Sequence, residues 1–345
     1  MESAIPLHLE TQRTRHKRVP DDYQPPYPSF VARYKPAVNR VVMAYLGVQY
    51  RGVAPAATDA LKEIAGLFAA ENGPSHWDRA QYVDQFGHEN VVSVAYWDDV
   101  ARFDAWFAPA REAWTGSQRD NIGTFIEVLR PIVARHETLF SSPDRPEGVA
   151  AIAGGMSGEV QEHAYWGGMR DRIPLSQTDA MTPGGAPELI RAGARLRVVA
   201  HDNLCLIRSG QDWSDTETFE RKLYLDDVEP VLRQGMDFLR DDGLGIGCYA
   251  NRYMRMLAAD GSVSEKSYGQ SWWKSLAALE RWAESHPTHV KIFGAAMKYL
   301  STLGPSAELR LYHEVTVAAA DEQFFEYLNC HPKTGMLAAV ETVRA

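Results

Sequence analysis

The segment SHPTHVKIFGAAMKYLSTLGPSAELRLYHE, Ser285 to Glu314, holds three of the eleven histidines, His286, His289 and His313. Imidazole changes charge near neutral pH and, when neutral, offers a lone pair to a metal. His289 falls in the first turn of an expected helix, where the dipole lowers its pKa and keeps the ring neutral. That suits a metal ligand. His313 alternates with Leu309, Leu311 and Val315 as in a strand, so it is either a hydrogen-bonded core histidine or a functional one. Three more polar groups stand out. Ser209, in Arg208-Ser209-Gly210-Gln211-Asp212, follows the apolar run Leu204–Ile207 and reads as a turn former or a catalytic hydroxyl. Arg170-Asp171-Arg172 reads as a solvated cluster with an internal ion pair, although Tyr165, Trp166 and Met169 could bury one arginine. Glu137 beside His136 passes, by itself, as a surface pair.

Elements must position these groups. Pro287 stops the preceding helix, and Thr288 is the expected cap of the next. Val290, Phe293, Met297 and Leu300 recur at helical spacing, which predicts one buried face, and Gly304-Pro305 ends it. Across the chain, the order strand–helix–strand–helix–strand reads twice. Strands are expected over 41–49 and 90–97 and from Ile132 through Phe140, with helices over 58–70 and 100–114. Strands over 195–207, 245–256 and 308–317 follow, with helices over 215–240 and 271–300 and a last helical turn at 324–328. This is the grammar of a ferredoxin-like α+β unit occurring in tandem. The loop SSPDRPEG, Ser141–Gly148, divides the units into 37–145 and 146–345. Residues 1–36, with Pro20, Pro25, Pro26 and Pro28, read as an extended arm lying on a domain or a neighbouring subunit. The irregular run 173–193 is a candidate lid or site wall.

Composition narrows the function classes. The chain has 345 residues, 45% of them hydrophobic and 23% charged, which fits one large globular domain or two ordinary ones. A net charge of −9 argues against nucleic acid or an anionic membrane as partner. No apolar run is long enough to span a membrane, and the N-terminus lacks the apolar core of a secretory signal. A cytoplasmic protein is expected. Cys205, Cys248 and Cys330 suit free thiols, not a disulfide framework. There is no H-E-x-x-H, P-loop or G-x-S-x-G elbow. The arm and the generous supply of aromatics suggest a homodimer.

The segments RVPDDYQPPYPSFVARY, YLGVQYRG, YWGGMRDRIPLSQTD, IRSGQDW, GMDFLRDDG, RWAESHPTHVKIF, LRLYHEVTV and NCHPKTGML resemble the haem-containing aldoxime dehydratases, in order, from Arg18 to Leu337. The resemblance implies two ferredoxin-like units whose sheets meet in a barrel-like core flanked by helices, with haem b in the second. It implies dehydration of aldoximes to nitriles. The histidine after P-T in HPTH, His289, takes the place of the iron ligand, and the histidine of LRLYHEV, His313, that of the distal acid–base. Ser209 of IRSGQDW, Arg172 of MRDR and Glu137 of HETLF complete the implied set. No C-x-x-C-H occurs, so the haem would be held without thioether links. The chemistry needs these types: hydroxide leaves nitrogen only if protonated, and ferrous haem on that nitrogen donates density into the N–O bond. Ser209 would hold the oxime hydroxyl, Arg172 would stabilise negative charge, and Glu137 would orient the cations. A non-catalytic haem-binding or sensor protein, or a haem peroxidase of related architecture, is the alternative.

Overall fold

The structure is a computed structural model and describes residues 1–116, 118–164 and 168–341. Twelve strands form one antiparallel sheet. They are β1 (Val42–Tyr50), β2 (His76–Val83), β3 (Glu89–Trp97), β4 (Ile122–Leu129), β5 (His136–Phe140) and β6 (Glu188–Ala192). After them come β7 (Arg195–Val199), β8 (Leu204–Asp212), β9 (Cys248–Leu257), β10 (Val263–Trp273), β11 (Arg310–Ala318) and β12 (Gln323–Leu328). Their order across the sheet is β5-β11-β8-β10-β9-β2-β3-β1-β4-β12-β7-β6. The β9–β2 seam, from Arg255↔Gln81 to Leu257↔Arg79, makes the two halves continuous.

Both halves turn one face toward a shared core. Val41, Met43, Tyr45, Val94 and Phe125 from the first meet Leu206, Met254, Tyr268 and Trp272 from the second in one cluster. Helices cover the outer faces. In the first half these are α1 (Pro55–Ala69) and α2 (Val100–Thr115), whose Ile64, Phe68, Phe103 and Trp106 pack on Val42, Ala44 and Trp97. In the second half the short helix α3 (Gly168–Arg172) comes first. Next, α4 (Thr218–Leu223) runs through a π turn at Tyr224–Val228 into α5 (Glu229–Asp241). A closely spaced pair follows, α6 (Leu276–Ser285) and α7 (Pro287–Leu303). Among the described residues no helix is long and apolar enough to cross a membrane.

The expected elements are present, with differences in the strands above all. Each half gains a strand: His76–Val83 and Val263–Trp273 pair in the sheet, so Ser271–Trp273 is strand and the helix there starts at Leu276. The polar residues of both strands, half-buried near one end, mask the alternation. Ile122–Leu129 is also a strand, and the expected strand 195–207 is two, turning at Asn203 with φ 58°. Phe324–Leu328 is strand, not helix, because β4 and β7 cover its two edges. The irregular run 173–193 ends in edge strand β6, paired with β7. The arm is anchored on its own chain, through Ala32–Arg33 on Gly155–Met156 and the backbones of Thr14 and Arg15 on Gln177.

Large side chains that lie over a neighbouring strand leave their register partner little room. A Cβ on Gly47 would lie 2.0 Å from the Phe125 ring. Gly47→Ala should therefore destabilise the fold by about 1–3 kcal/mol, as overpacking does. Urea unfolding checks this, and an unchanged midpoint would contradict the packing described.

Candidate active site

Side chains alternate along a strand, so the register of β5, β11, β8, β10 and β9 decides which residues share a face. Leu139, His313, Ser209, Gly269 and Tyr253 lie side by side across these five strands. Glu137, Val315, Ile207, Ser271 and Asn251 form the next row on that face. This is the helix-covered face: a Cβ on Gly269 would meet the Met236 sulfur of α5 at 2.8 Å. Ile292 of α7 packs against the cluster that contains Ile207 and Val315.

The opposite face takes the alternate residues. Arg208 is fully buried there, bonded to Asp78 Oδ2 at 2.9 Å, Tyr96 Oη at 2.5 Å and Tyr312 Oη at 3.1 Å. Its guanidinium stacks 3.9 Å above the Tyr268 ring. Sequence reasoning singled out Ser209 in this segment and passed over Arg208. The apolar residues just before it were the available signal, since they extend a buried strand through both positions. Ser209 is thus mid-strand, not in a turn.

On the helix-covered face three polar groups meet. Arg172 Nε donates to Glu137 Oε2 at 2.6 Å, and its Nη2 lies 3.3 Å from Oε1. His313 Nε2 is 2.9 Å from Arg172 Nη2 and 3.0 Å from Glu137 Oε1. An imidazolium can donate to Glu137 there, and a neutral ring can accept from Arg172, so either protonation state finds a partner. Burial alone would push the Glu137 carboxyl up, but Arg172 and His313 outweigh it and hold it at about 2. In sequence Glu137 beside His136 reads as a surface pair and Arg172 as part of a solvated cluster, yet Glu137, His136 and Arg172 are each only 4% exposed. Nor do Arg170, Asp171 and Arg172 pair among themselves. Arg170 binds Glu280, Asp171 accepts from the arm, and Arg172 turns to the site. Tyr165 and Trp166 lie outside the described residues.

Sequence reasoning missed Gly168. A Cβ there would sit 3.0 Å from both Arg172 Nη1 and the Glu162 carbonyl, which themselves bond at 2.6 Å. The double glycine ahead of MRDR was the signal. His163 also stands close, its Nδ1 on the Tyr27 carbonyl at 3.0 Å.

His289 lies on α7, over the same face. Burial holds its pKa down to about 4, against a hydrogen bond to the Ala283 backbone that acts to raise it. The neutral ring makes an edge contact with Trp282, centroids 4.5 Å apart. A backbone bond at one nitrogen orients the other, as ligating histidines require. His286 is used otherwise: it caps α7 through Thr288 and stacks on Phe238 at 4.5 Å, and Thr288 is not the cap. The predicted buried face of α7 is not closed by protein. Of its residues only Tyr299 is buried, and Val290 is 47% exposed. A partly exposed apolar helix face beside a half-buried neutral imidazole fits a flat hydrophobic macrocycle whose iron His289 would hold.

Comparison with known proteins agrees. The model of a family of haem-containing dehydratases matches residues 44–336, and the chain belongs to that family. It is 47% identical to an aliphatic aldoxime dehydratase of Pseudomonas chlororaphis, over 98% of both chains. It is 35% identical to a phenylacetaldoxime dehydratase of a Bacillus species, over 94% of this chain and 95% of the other. A crystal structure of an aldoxime dehydratase in complex with butyraldoxime superposes with a TM-score of 0.93 at 46% identity, covering 98% of this chain and 96% of that one.

Buried His136 and half-buried His163 give the fold a pH dependence. Burial lowers His136 to about 4 against the raising effect of Glu137, and lowers His163 to about 4. Both rings bind protons less readily folded than unfolded, so stability falls as pH drops from about 6.5 toward 4. His136 alone contributes up to about 3 kcal/mol of that loss. Glu137, held at about 2, adds its own loss as pH falls from about 4.5 toward 2. Urea melts between pH 7 and 4 should show the slope, and flat midpoints would contradict it.

Proposed function

We propose that this chain dehydrates aldoximes, R–CH=N–OH, to nitriles and water. The contact of His313 with Arg172 and Glu137, across from Ser209 and beneath the helix of His289, carries this reading in a member of the haem-containing dehydratase family. His289 is the residue that would hold the iron. Held there, ferrous haem would supply electron density to the oxime nitrogen and so weaken the N–O bond.

The chain's own groups do the rest. His313, as imidazolium, gives its proton to the departing hydroxyl oxygen, and the neutral ring then takes the proton from the oxime carbon. Because Nε2 has an acceptor in Glu137 and a donor in Arg172, neither protonation state leaves that nitrogen unpaired. The Ser209 hydroxyl, which has no bonding partner among the described residues, orients the oxime hydroxyl. Arg172 stabilises negative charge developing on that oxygen, and the Glu137 carboxylate keeps the guanidinium fixed. A haem-binding protein without catalysis would have no use for this polar group.

The same reading includes two ferredoxin-like units. The orders β4-β1-β3-β2 and β11-β8-β10-β9, each with helices on one face, support it. It also includes a homodimer, for which light scattering is the direct measurement.

His289→Ala should purify largely without haem while His286→Ala retains it, and full haem content in His289→Ala would remove the ligand assignment. His313→Ala should keep haem and the spectral shift of the reduced protein on adding butyraldoxime, yet lose turnover by roughly 10²–10⁴-fold. Ser209→Ala should lose less, and Arg172→Ala an intermediate amount. Parental turnover in His313→Ala would leave that ring a core histidine. Anaerobic nitrile formation should rise sharply on reduction by dithionite, and equal rates before and after would remove the ferrous requirement.

A further inference from the structure

Helix α3 is only five residues long, too short to hold a side chain's orientation by its own hydrogen bonds. Its three charged residues instead point to three different partners. Arg170 grips Glu280 of α6 with Nε at 3.0 Å and Nη2 at 2.6 Å. Arg172 reaches Glu137 and His313. Asp171, between them and 1% exposed, accepts both backbone N–H groups of the arm at Arg18 and Val19, 2.8 and 2.7 Å away on one oxygen. The arm closes the loop, since the Arg18 side chain returns to Glu280 at 3.3 Å and Glu284 at 2.5 Å. It also holds the other side of Arg172: Ala4 N donates to Glu162 Oε2 at 2.8 Å, and the Glu162 carbonyl takes Arg172 Nη1. A stretch far from the reacting atoms in sequence thus grips the residues on both sides of the guanidinium.

We propose that Asp171 is a positioning residue for the reaction: held by the arm backbone at Arg18 and Val19, it fixes where Arg172 sits between Glu137 and His313. This rests on the reading of Arg172 as a group that acts on the substrate. The N-terminal arm is then part of the active-site framework. A guanidinium displaced by about 1 Å loses rate out of proportion to any change in fold, up to 10²-fold.

The test compares Asp171→Ala, Asp171→Asn, Arg172→Ala and the double variant Asp171→Ala/Arg172→Ala as haem-loaded full-length proteins. Asp171→Ala should lower kcat roughly 10- to 10²-fold, with haem content and the aldoxime-induced spectral shift of the reduced protein retained. Asp171→Asn keeps an oxygen for the two N–H groups and should recover most of the rate. The double variant should be no slower than Arg172→Ala, because the aspartate acts through the arginine. Trypsin should cut the arm at Arg13–Arg18 faster in Asp171→Ala than in the parent. Parental kcat in Asp171→Ala, additive losses in the double variant, or an Asp171→Asn as slow as Asp171→Ala would each overturn the proposal. If Asp171→Ala does not fold, Asp171→Glu decides, its longer side chain shifting the carboxylate: a lowered kcat supports the role and a parental one overturns it. Parental turnover in Arg172→Ala would overturn the reading of the site itself. A slow Arg172→Ala beside a parental Asp171→Ala overturns only the role of the arm.

Discussion

Register is the constraint on which the site depends. Five strands must align so that His313 faces Ser209 on one side and Leu139 on the other, with Glu137 one step along. A slip of one residue would send every side chain to the opposite face. His313 would then enter the shared core and Glu314 the helix-covered face. Arg208 and Glu314 resist such a slip. Arg208 and the Tyr96 and Tyr312 hydroxyls bind one another in the core, and Glu314 accepts from Tyr96 Oη at 2.9 Å and from the Val149 backbone at 2.8 Å. Burial pushes the Glu314 carboxyl up, against the lowering effect of Arg208. Neither group would find comparable partners under the helices, so the polar core secures the register the reactive face uses.

The Glu137–Arg172 pair works in the same way from a different direction. A buried ion pair adds little net stability, but removing one partner strands a charge and costs about 3–5 kcal/mol. Such a pair acts as a geometric pin more than as a source of stability. It joins β5 to α3, elements with few other contacts, and places a fixed positive charge beside His313. On the opposite wall, α7 contributes a neutral imidazole and an open apolar face. One wall is rigid and polar, the other soft and greasy. That division suits a small polar reacting group carried on an apolar body.

Much of this was legible in the sequence, and what was not had physical reasons. The β-branched run of β1 and the apolar stripe of α1 announce themselves because each buries a continuous face. Strands β2 and β10 did not, since partly exposed polar residues break their alternation. The motif resemblance put Ser209, His289 and His313 forward, and neighbouring strands show why two of them meet: they are register partners. The pairing of Glu137 with Arg172 could not be read from spacing, because thirty-five residues and a chain crossing separate them. Nor could the open face of α7, whose periodicity looks the same whether protein or a cofactor covers it.

The two halves exchange strands. β5, reached at residue 136, completes the second half by pairing with β11, whereas β12, starting at residue 323, completes the first by pairing with β4. The second half therefore finds β5 already made as it emerges, and only the first lacks a strand that has yet to be synthesised. The first must wait, with an edge of β4 unpaired, until nearly the whole polypeptide has been made. Contacts so distant in sequence form slowly, and an uncovered strand edge is an invitation to wrong partners. The expected consequence is a yield from synthesis that depends on temperature and chaperone supply more steeply than the finished stability would indicate.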